Sequence, residues 1–272
     1  MNTTLVSIAT DTVPLEGAWY EPDARASGAV LLFHGNTMNF YVGAPRFLPP
    51  ALTKLGLACL AFNRRGHDIL STRDSRQAEG AAFQTIAQAV EDNRIAARWL
   101  AERGFPDPIV IGHSNGGMLA VRHVAEHPRT RALVLLSAHC GGKRMVPLAS
   151  AAGLLAGDRL AEITEAARRL VAEGRGRDLI LLPGWWYVAS AESFLDVLEN
   201  CPDTLELAPR ISCPVLYIRG EGEPRDLYPA EEFKRRCKGP CSVEIVPDCD
   251  HFYVGRESAI VELVCSFLRR LT

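Results

Sequence analysis

The chain has 272 residues, 47% of them hydrophobic and 23% charged, with a formal net charge of −2. That is enough to bury the core of one large domain, or of one domain with an insertion. The near-neutral balance and the lack of long charge runs weigh against nucleic acid or an anionic membrane as partner, and no apolar stretch approaches the roughly 18–20 residues of a membrane span.

The first residues, MNTTLVSIATDTVPL, show no basic segment followed by an apolar run, so no signal peptide is expected. LVSIAT (5–10) and PLEGAWY (14–20) read as an opening antiparallel pair. AVLLFH (29–34) reads as a buried strand ending at HGN, and a helix over 44–55 leads to a second buried strand, LACLAFN (57–63), ending at RRGH. From Phe83 to Arg103, the apolar residues Ile86, Val90, Ile95 and Leu100 keep an approximate helical period. DPIVIG (107–112), RALVLLSA (131–138) and PVLYIRG (214–220) are further buried strands, VEIVP (243–247) is the last, and 260–271 is the closing helix. Apolar runs alternating with helical patterns predict βαβ units and a mainly parallel sheet.

The alternation lapses between Gly141 and Arg210. There DRLAEITEAARRLVAEG (158–174) carries Leu160, Ile163, Ala167, Leu170 and Val171 on one helical face, with Gly174 as its stop. LLPGWWYVASAESFLDVL (181–198) brings Trp185, Trp186 and Tyr187 beside a short helix. Residues 141–210 are read as an insertion over the sheet's C-terminal edge.

The eight cysteines form no CxxC pair and no zinc-finger spacing. Several sit in apolar runs, where a thiol packs as a small hydrophobe, so a reduced, cytoplasmic protein is expected. Cys237 and Cys241 in CKGPC could bridge, but no disulfide is expected there.

Gly112-His113-Ser114-Asn115-Gly116 is a G-x-S-x-G sequence directly after a predicted strand and opening a helix. A serine at so tight a turn projects its hydroxyl clear of the sheet, and the helix N-terminus beneath it favours an oxyanion. A serine hydroxyl needs a base to become a nucleophile. Of seven histidines, His251, in the loop PDCDHFY after the last strand, is placed to swing over the sheet edge towards Ser114. A carboxylate should orient that imidazole. GEGEPRD after the 214–220 strand offers Glu223, at the offset where a turn points back over the edge, with Asp226 and Glu221 as alternatives. Asp248 and Asp250 read as caps of the histidine's own loop. For the oxyanion, two N–H donors are expected: Asn115, and Asn36 or Thr37 after the HGN strand end. Phe40, Tyr41, Trp185, Trp186 and Tyr187 are candidates to line a substrate pocket, against the ordinary reading that aromatic clusters only pack. Cys140 has no base placed for it. There is no metal-ligand cluster, phosphate cradle or dinucleotide fingerprint, and no cofactor is expected.

HGN after one strand, NRRGHD after the next, GHSNGG, CPVLYIRGEGE and PDCDHFY, in this order, resemble the α/β-hydrolase superfamily over residues 28–138 and 211–271. The region around HGN and SAESFLD is also faintly similar to the fungal siderophore-esterase branch, and no substrate is drawn from that. The superfamily resemblance implies a mainly parallel eight-stranded sheet with helices on both faces. It implies a core of 1–140 and 211–272, and a lid or cap at 141–210 that shapes substrate choice. It implies the chain order serine, acid, histidine, which Ser114, Glu223 and His251 satisfy, although the acid is a glutamate where aspartate is commoner. Arg64-Arg65-Gly66-His67 resembles the family's structural turn beside the nucleophile. The expected activity is a serine hydrolase acting on a small-molecule carboxylic ester, thioester or lactone. An acyltransferase, a carbon–carbon bond hydrolase and a non-catalytic small-molecule receptor are the alternatives; an aspartate-nucleophile dehalogenase or epoxide hydrolase is not. The sequence leaves the oligomeric state open.

Overall fold

Five short apolar runs form the centre of the sheet, every residue in them buried: β3 (Gly28–Phe33), β4 (Leu57–Phe62), β5 (Ile109–His113), β6 (Leu133–Leu136) and β9 (Val215–Gly220). Unbroken apolar sequence is what a strand covered on both faces requires. The computed structural model describes residues 1–72, 76, 78–185 and 187–271. Its main sheet has eight strands in the order β1-β2-β4-β3-β5-β6-β9-β10, with β1 (Asn2–Ile8), β2 (Leu15–Glu21) and β10 (Cys241–Val246) completing it. β1 and β2 pair antiparallel, β2 meets β4 antiparallel, and the pairings from β4 through to β10 are parallel.

Two apolar clusters, one on each side of this sheet, form the core. Leu31, Leu60, Val110 and Leu135 belong to one, and Val30, Cys59, Ile111 and Val134 to the other, as alternation along a strand demands.

The helices refine the sequence reading. The expected helix over 44–55 is two, α1 (Ala44–Phe47) and α2 (Pro49–Lys54), because Pro49 and Pro50 lack the N–H groups that would continue the first but suit the start of the second. α3 (Ile86–Ala101) starts after Phe83, where Thr85 and Gln88 form a reciprocal capping box. α4 (Asn115–Glu126) follows β5 directly.

Residues 141–210 hold α5 (Met145–Ala151), α6 (Leu160–Ala172), the antiparallel hairpin of β7 (Leu179–Leu182) and β8 (Tyr187–Ser190), α7 (Ala191–Asn200) and α8 (Thr204–Leu207). α9 (Ala230–Arg236) and α10 (Glu257–Arg269) complete the chain's helices of this kind among the described residues. The 141–210 segment is tied to the chain just before α3. The Ser190 N–H donates to the Ala82 carbonyl at 2.7 Å, and the Ile86 N–H donates to the Asp196 carboxylate at 2.6 Å. All eight cysteines are free thiols.

Candidate active site

β5 ends at His113 and α4 begins at Asn115, which leaves a single residue for the turn. Ser114 makes it with φ 54° and ψ −120°, a conformation costing an L-residue on the order of 1–3 kcal/mol. The strain is tolerated because the flanking positions lack a Cβ. One on Gly112 would strike the Gly116 backbone, and one on Gly116 would strike the carbonyl oxygens of Phe33 and His34. The ends of β3 and β5 and the first turn of α4 are thereby drawn together.

His251 sits in the loop between β10 and α10. Asp250 shapes that loop by accepting the N–H groups of Phe252 and Val254, both at 3.0 Å. His113, beneath the loop, lies 2.8 Å through Nε2 from the His251 carbonyl. Burial, then the charge of His251, pushes its pKa down to about 3, so a neutral ring donates its N–H there. The result places His251 Nε2 2.9 Å from Ser114 Oγ and His251 Nδ1 2.6 Å from Glu223 Oε1. With Nδ1–H donating to the carboxylate, the Nε2 lone pair faces the serine hydroxyl.

Glu223 is buried and doubly held. Its Oε2 accepts the Ser137 hydroxyl at 2.6 Å and the Gly220 N–H at 2.7 Å. Tyr253 stands 2.7 Å behind Ser137, so its hydroxyl can donate to Ser137 Oγ while Ser137 donates to Glu223. Arg219 clamps the same turn, donating to the carbonyls of Gly220 at 3.1 Å and Glu223 at 2.9 Å. Ser137 and Tyr253 share positive φ with Ser114, at 44° and 62°. Sequence reasoning missed Ser137, Tyr253 and Arg219; the Leu136–Ile218 register between β6 and β9 brings Ser137 beside the acid turn, and Tyr253 reaches Ser137 from the loop after β10.

The other expected residues fall as follows. Asp226 and Glu221 are exposed, while Glu223 is the one that meets His251. Asn36 and Asn115 lie with Ser114 on the wall of one cavity. His34 braces the loop carrying Asn36. Its Nε2 accepts the Arg64 N–H at 3.1 Å and its Nδ1 sits 2.8 Å from the Gly35 carbonyl. Arg64 is fully buried and donates to the His34 carbonyl at 2.7 Å, while Arg65 pairs with Asp92 at 2.7 Å. The RRGH turn is thus wired into the scaffold.

Trp185 and Tyr187 line the cavity. Trp186 lies outside the described residues. Phe40 and Tyr41 do not line it. Phe40 packs against the core on the other side of the sheet, and Tyr41 is 53% exposed, because the Asn63 side chain holds the Phe40 N–H at 2.8 Å and turns this stretch away. Met145, Val146, Leu154, Leu182 and Phe194, all from the 141–210 segment, make much of the cavity wall apolar. Among the described residues, no group of three His, Cys, Asp or Glu is arranged to hold a metal ion.

A family profile described as "Alpha/beta hydrolase family" matches residues 30–263. No curated protein sequence matches the chain. Est1E from Butyrivibrio proteoclasticus with ferulic acid bound is similar in structure, at 19% identity and TM-score 0.73 over 98% of each chain. The alpha/beta hydrolase GrgF from Penicillium sp. sh18 is similar at 16% identity and TM-score 0.74 over 99% of each. A thermostable carboxyl esterase from Bacillus coagulans in complex with glycerol shows 16% identity and TM-score 0.71 over 100% of this chain and 99% of its own. At such identities the structural likeness speaks for the fold.

Proposed function

Because the chain belongs to the alpha/beta hydrolase family, we propose that it is a serine hydrolase cleaving a small-molecule carboxylic ester, or the related thioester or lactone. One observation carries this reading. Ser114 Oγ, His251 and Glu223 are linked in series at 2.9 Å and 2.6 Å on the wall of a largely apolar cavity.

In the proposed reaction Ser114 Oγ attacks the carbonyl carbon as its proton passes to His251 Nε2. Glu223 holds the ring in the tautomer that can take it and stabilises the imidazolium. The oxyanion lies against the backbone N–H groups of Asn36 and Asn115. Both residues border the cavity at Ser114, and Asn115 opens α4, whose dipole favours negative charge. The tetrahedral intermediate expels the alkoxide, which leaves with the proton from Nε2. Water, deprotonated by the same nitrogen, then releases the acid and restores Ser114. No cofactor enters this sequence.

The 141–210 segment acts as the lid in this reading, because it supplies much of the cavity wall. The ferulic acid and glycerol bound by two structural neighbours support a small organic substrate. Eight unbridged cysteines suit a reducing compartment and support a cytoplasmic setting. No helix of the described residues is long and apolar enough to cross a membrane.

The deciding experiment is labelling with a fluorophosphonate probe, wild type beside Ser114→Ala, followed by turnover of p-nitrophenyl esters of increasing acyl length. Labelling of the wild type alone, with ester turnover, is the expected result. A wild type that neither labels nor turns over would overturn the reading and favour a ligand receptor on the same fold.

A further inference from the structure

A polar group in an apolar cavity is costly unless something satisfies it. Most of those bordering this cavity are satisfied by the protein itself. The Tyr187 hydroxyl donates to the Ala81 carbonyl at 3.1 Å and the Ser193 hydroxyl to the Gln84 carbonyl at 2.8 Å. The Gln84 amide donates to Asp92 at 3.1 Å, and the Thr85 hydroxyl caps α3.

His139 and Tyr228 do not follow this pattern. The Gly141 N–H donates to His139 Nδ1 at 3.1 Å, so the ring's lone pair is there and its proton is on Nε2. Burial, then the charge of His251, pushes the His139 pKa down to about 3, which keeps that neutral tautomer in place. The Nε2–H has Asn115 Oδ1 at 3.4 Å, beyond the range of a good N–H···O bond. The Tyr228 hydroxyl finds no partner among the described residues, and it is not sealed from the cavity that the residue lines. Burial raises its pKa, so it keeps its proton.

The two donors are neighbours by construction. The Cys140 N–H donates to the Leu227 carbonyl at 2.7 Å, tying the residue after His139 to the residue before Tyr228. The Tyr228 ring lies 5.1 Å from that of His251, centroid to centroid. Both donors therefore border the cavity at the reacting centre, Tyr228 beside His251 and His139 beside Asn115.

We propose that His139 and Tyr228 form an acceptor-binding subsite, and that the substrate is an ester carrying a second oxygen (ether, carbonyl or hydroxyl) a few bonds from the scissile carbonyl. This rests on the serine-hydrolase reading. A plain alkyl ester would displace water from both donors and offer them nothing, whereas an oxygenated one satisfies them. A ligand that only donates has no use for His139 Nε2–H.

The test is an oxygen scan. p-Nitrophenyl hexanoate is compared with analogues in which the methylenes from C3 outward are replaced one at a time by ether oxygen, and n-hexyl butyrate with the same replacements from C3 of its alkoxy chain outward. Each kcat/KM is divided by the ester's own alkaline hydrolysis rate, which removes the activating effect of the oxygen. At least one position should be preferred over its all-carbon parent by about 5- to 10-fold, the worth of one neutral hydrogen bond. The series in which it falls identifies the acyl or the alcohol side. In His139→Phe and Tyr228→Phe that ratio should drop towards one. A ratio taken within one preparation is insensitive to any inactive fraction, and Tyr228→Phe removes a single oxygen. Flat ratios in the wild type, or a preference that survives both substitutions, overturn the subsite while labelled, active Ser114 leaves the hydrolase reading standing. Absence of both labelling and turnover overturns the hydrolase reading and the subsite with it.

Discussion

At Glu223 the two carboxylate oxygens have separate duties. Oε1 accepts from His251, while Oε2 is saturated by Ser137 and the Gly220 N–H. An amide at this position can donate where the carboxylate only accepts, and so favours the wrong histidine tautomer. Glu223→Gln should lower kcat by about four orders of magnitude with little change in KM, the pattern of a group that acts only after substrate is bound. An unchanged kcat would remove Glu223 from the mechanism. Ser137→Ala is the subtler case, because it leaves the His251 contact intact and strips one donor from Oε2. One donor fewer leaves the carboxylate less firmly held against His251, so kcat should fall by about 5- to 10-fold with KM little changed, and an unchanged kcat would reduce Ser137 to packing. The meeting of Ser114, His251 and Glu223 was legible in the sequence because each follows a strand end at a recognisable offset. Ser137 and Tyr253 carry no such mark. Their significance exists only once β6 lies beside β9 and the loop after β10 brings Tyr253 to Ser137.

Among the elements, the junction between α3 and α7 binds the cavity-forming segment to the core. Ile86 is the first residue of α3, and its N–H would have no partner within the helix. Asp196, from the middle of α7, accepts it at 2.6 Å, while Thr85 caps from the other side. Asp196→Ala removes a charge-assisted bond at a helix N-terminus, with an expected cost of about 1–2 kcal/mol. In a chain of this size that lowers the melting temperature by a few degrees. Calorimetry of the variant checks this, and a melting temperature unchanged within a degree would show that the apolar contacts alone hold the segment. The central strands were legible because burial on both faces leaves an unbroken apolar run. The β7–β8 hairpin was not, since its four-residue strands LILL and YVAS are too short to show a period and Leu179 and Leu181 stay 45% exposed. Its turn at Pro183-Gly184 was the available signal.

Across the molecule, four histidines are buried in neutral form. Burial is the chief cause in each case. The next is Arg64 for His34, His251 for His113 and His139, and His127 for His123. His113, His123 and His139 fall to about 3, and His34 falls well below its ordinary value. In the unfolded chain each would titrate near 6.5. Below that pH the unfolded state binds protons that the folded state refuses, so stability is lost as pH falls from about 6.5 towards 3. Each histidine contributes about 1.4 kcal/mol per pH unit across this window. Asp92 opposes them, since burial raises its pKa and the folded state takes up that proton more readily, but it is one group against four. Set against a total stability of about 5–15 kcal/mol, the four should bring unfolding within roughly one to three pH units below 6.5. Melting followed by circular dichroism at constant ionic strength should show a steep fall in midpoint between pH 6.5 and 5. His123→Leu, which lies on α4 away from the acid turn, should reduce that slope by one proton's worth. A midpoint level down to pH 5 would mean that these histidines accept protons in place. The polar wiring that positions His251 would then tolerate charge that its burial argues against.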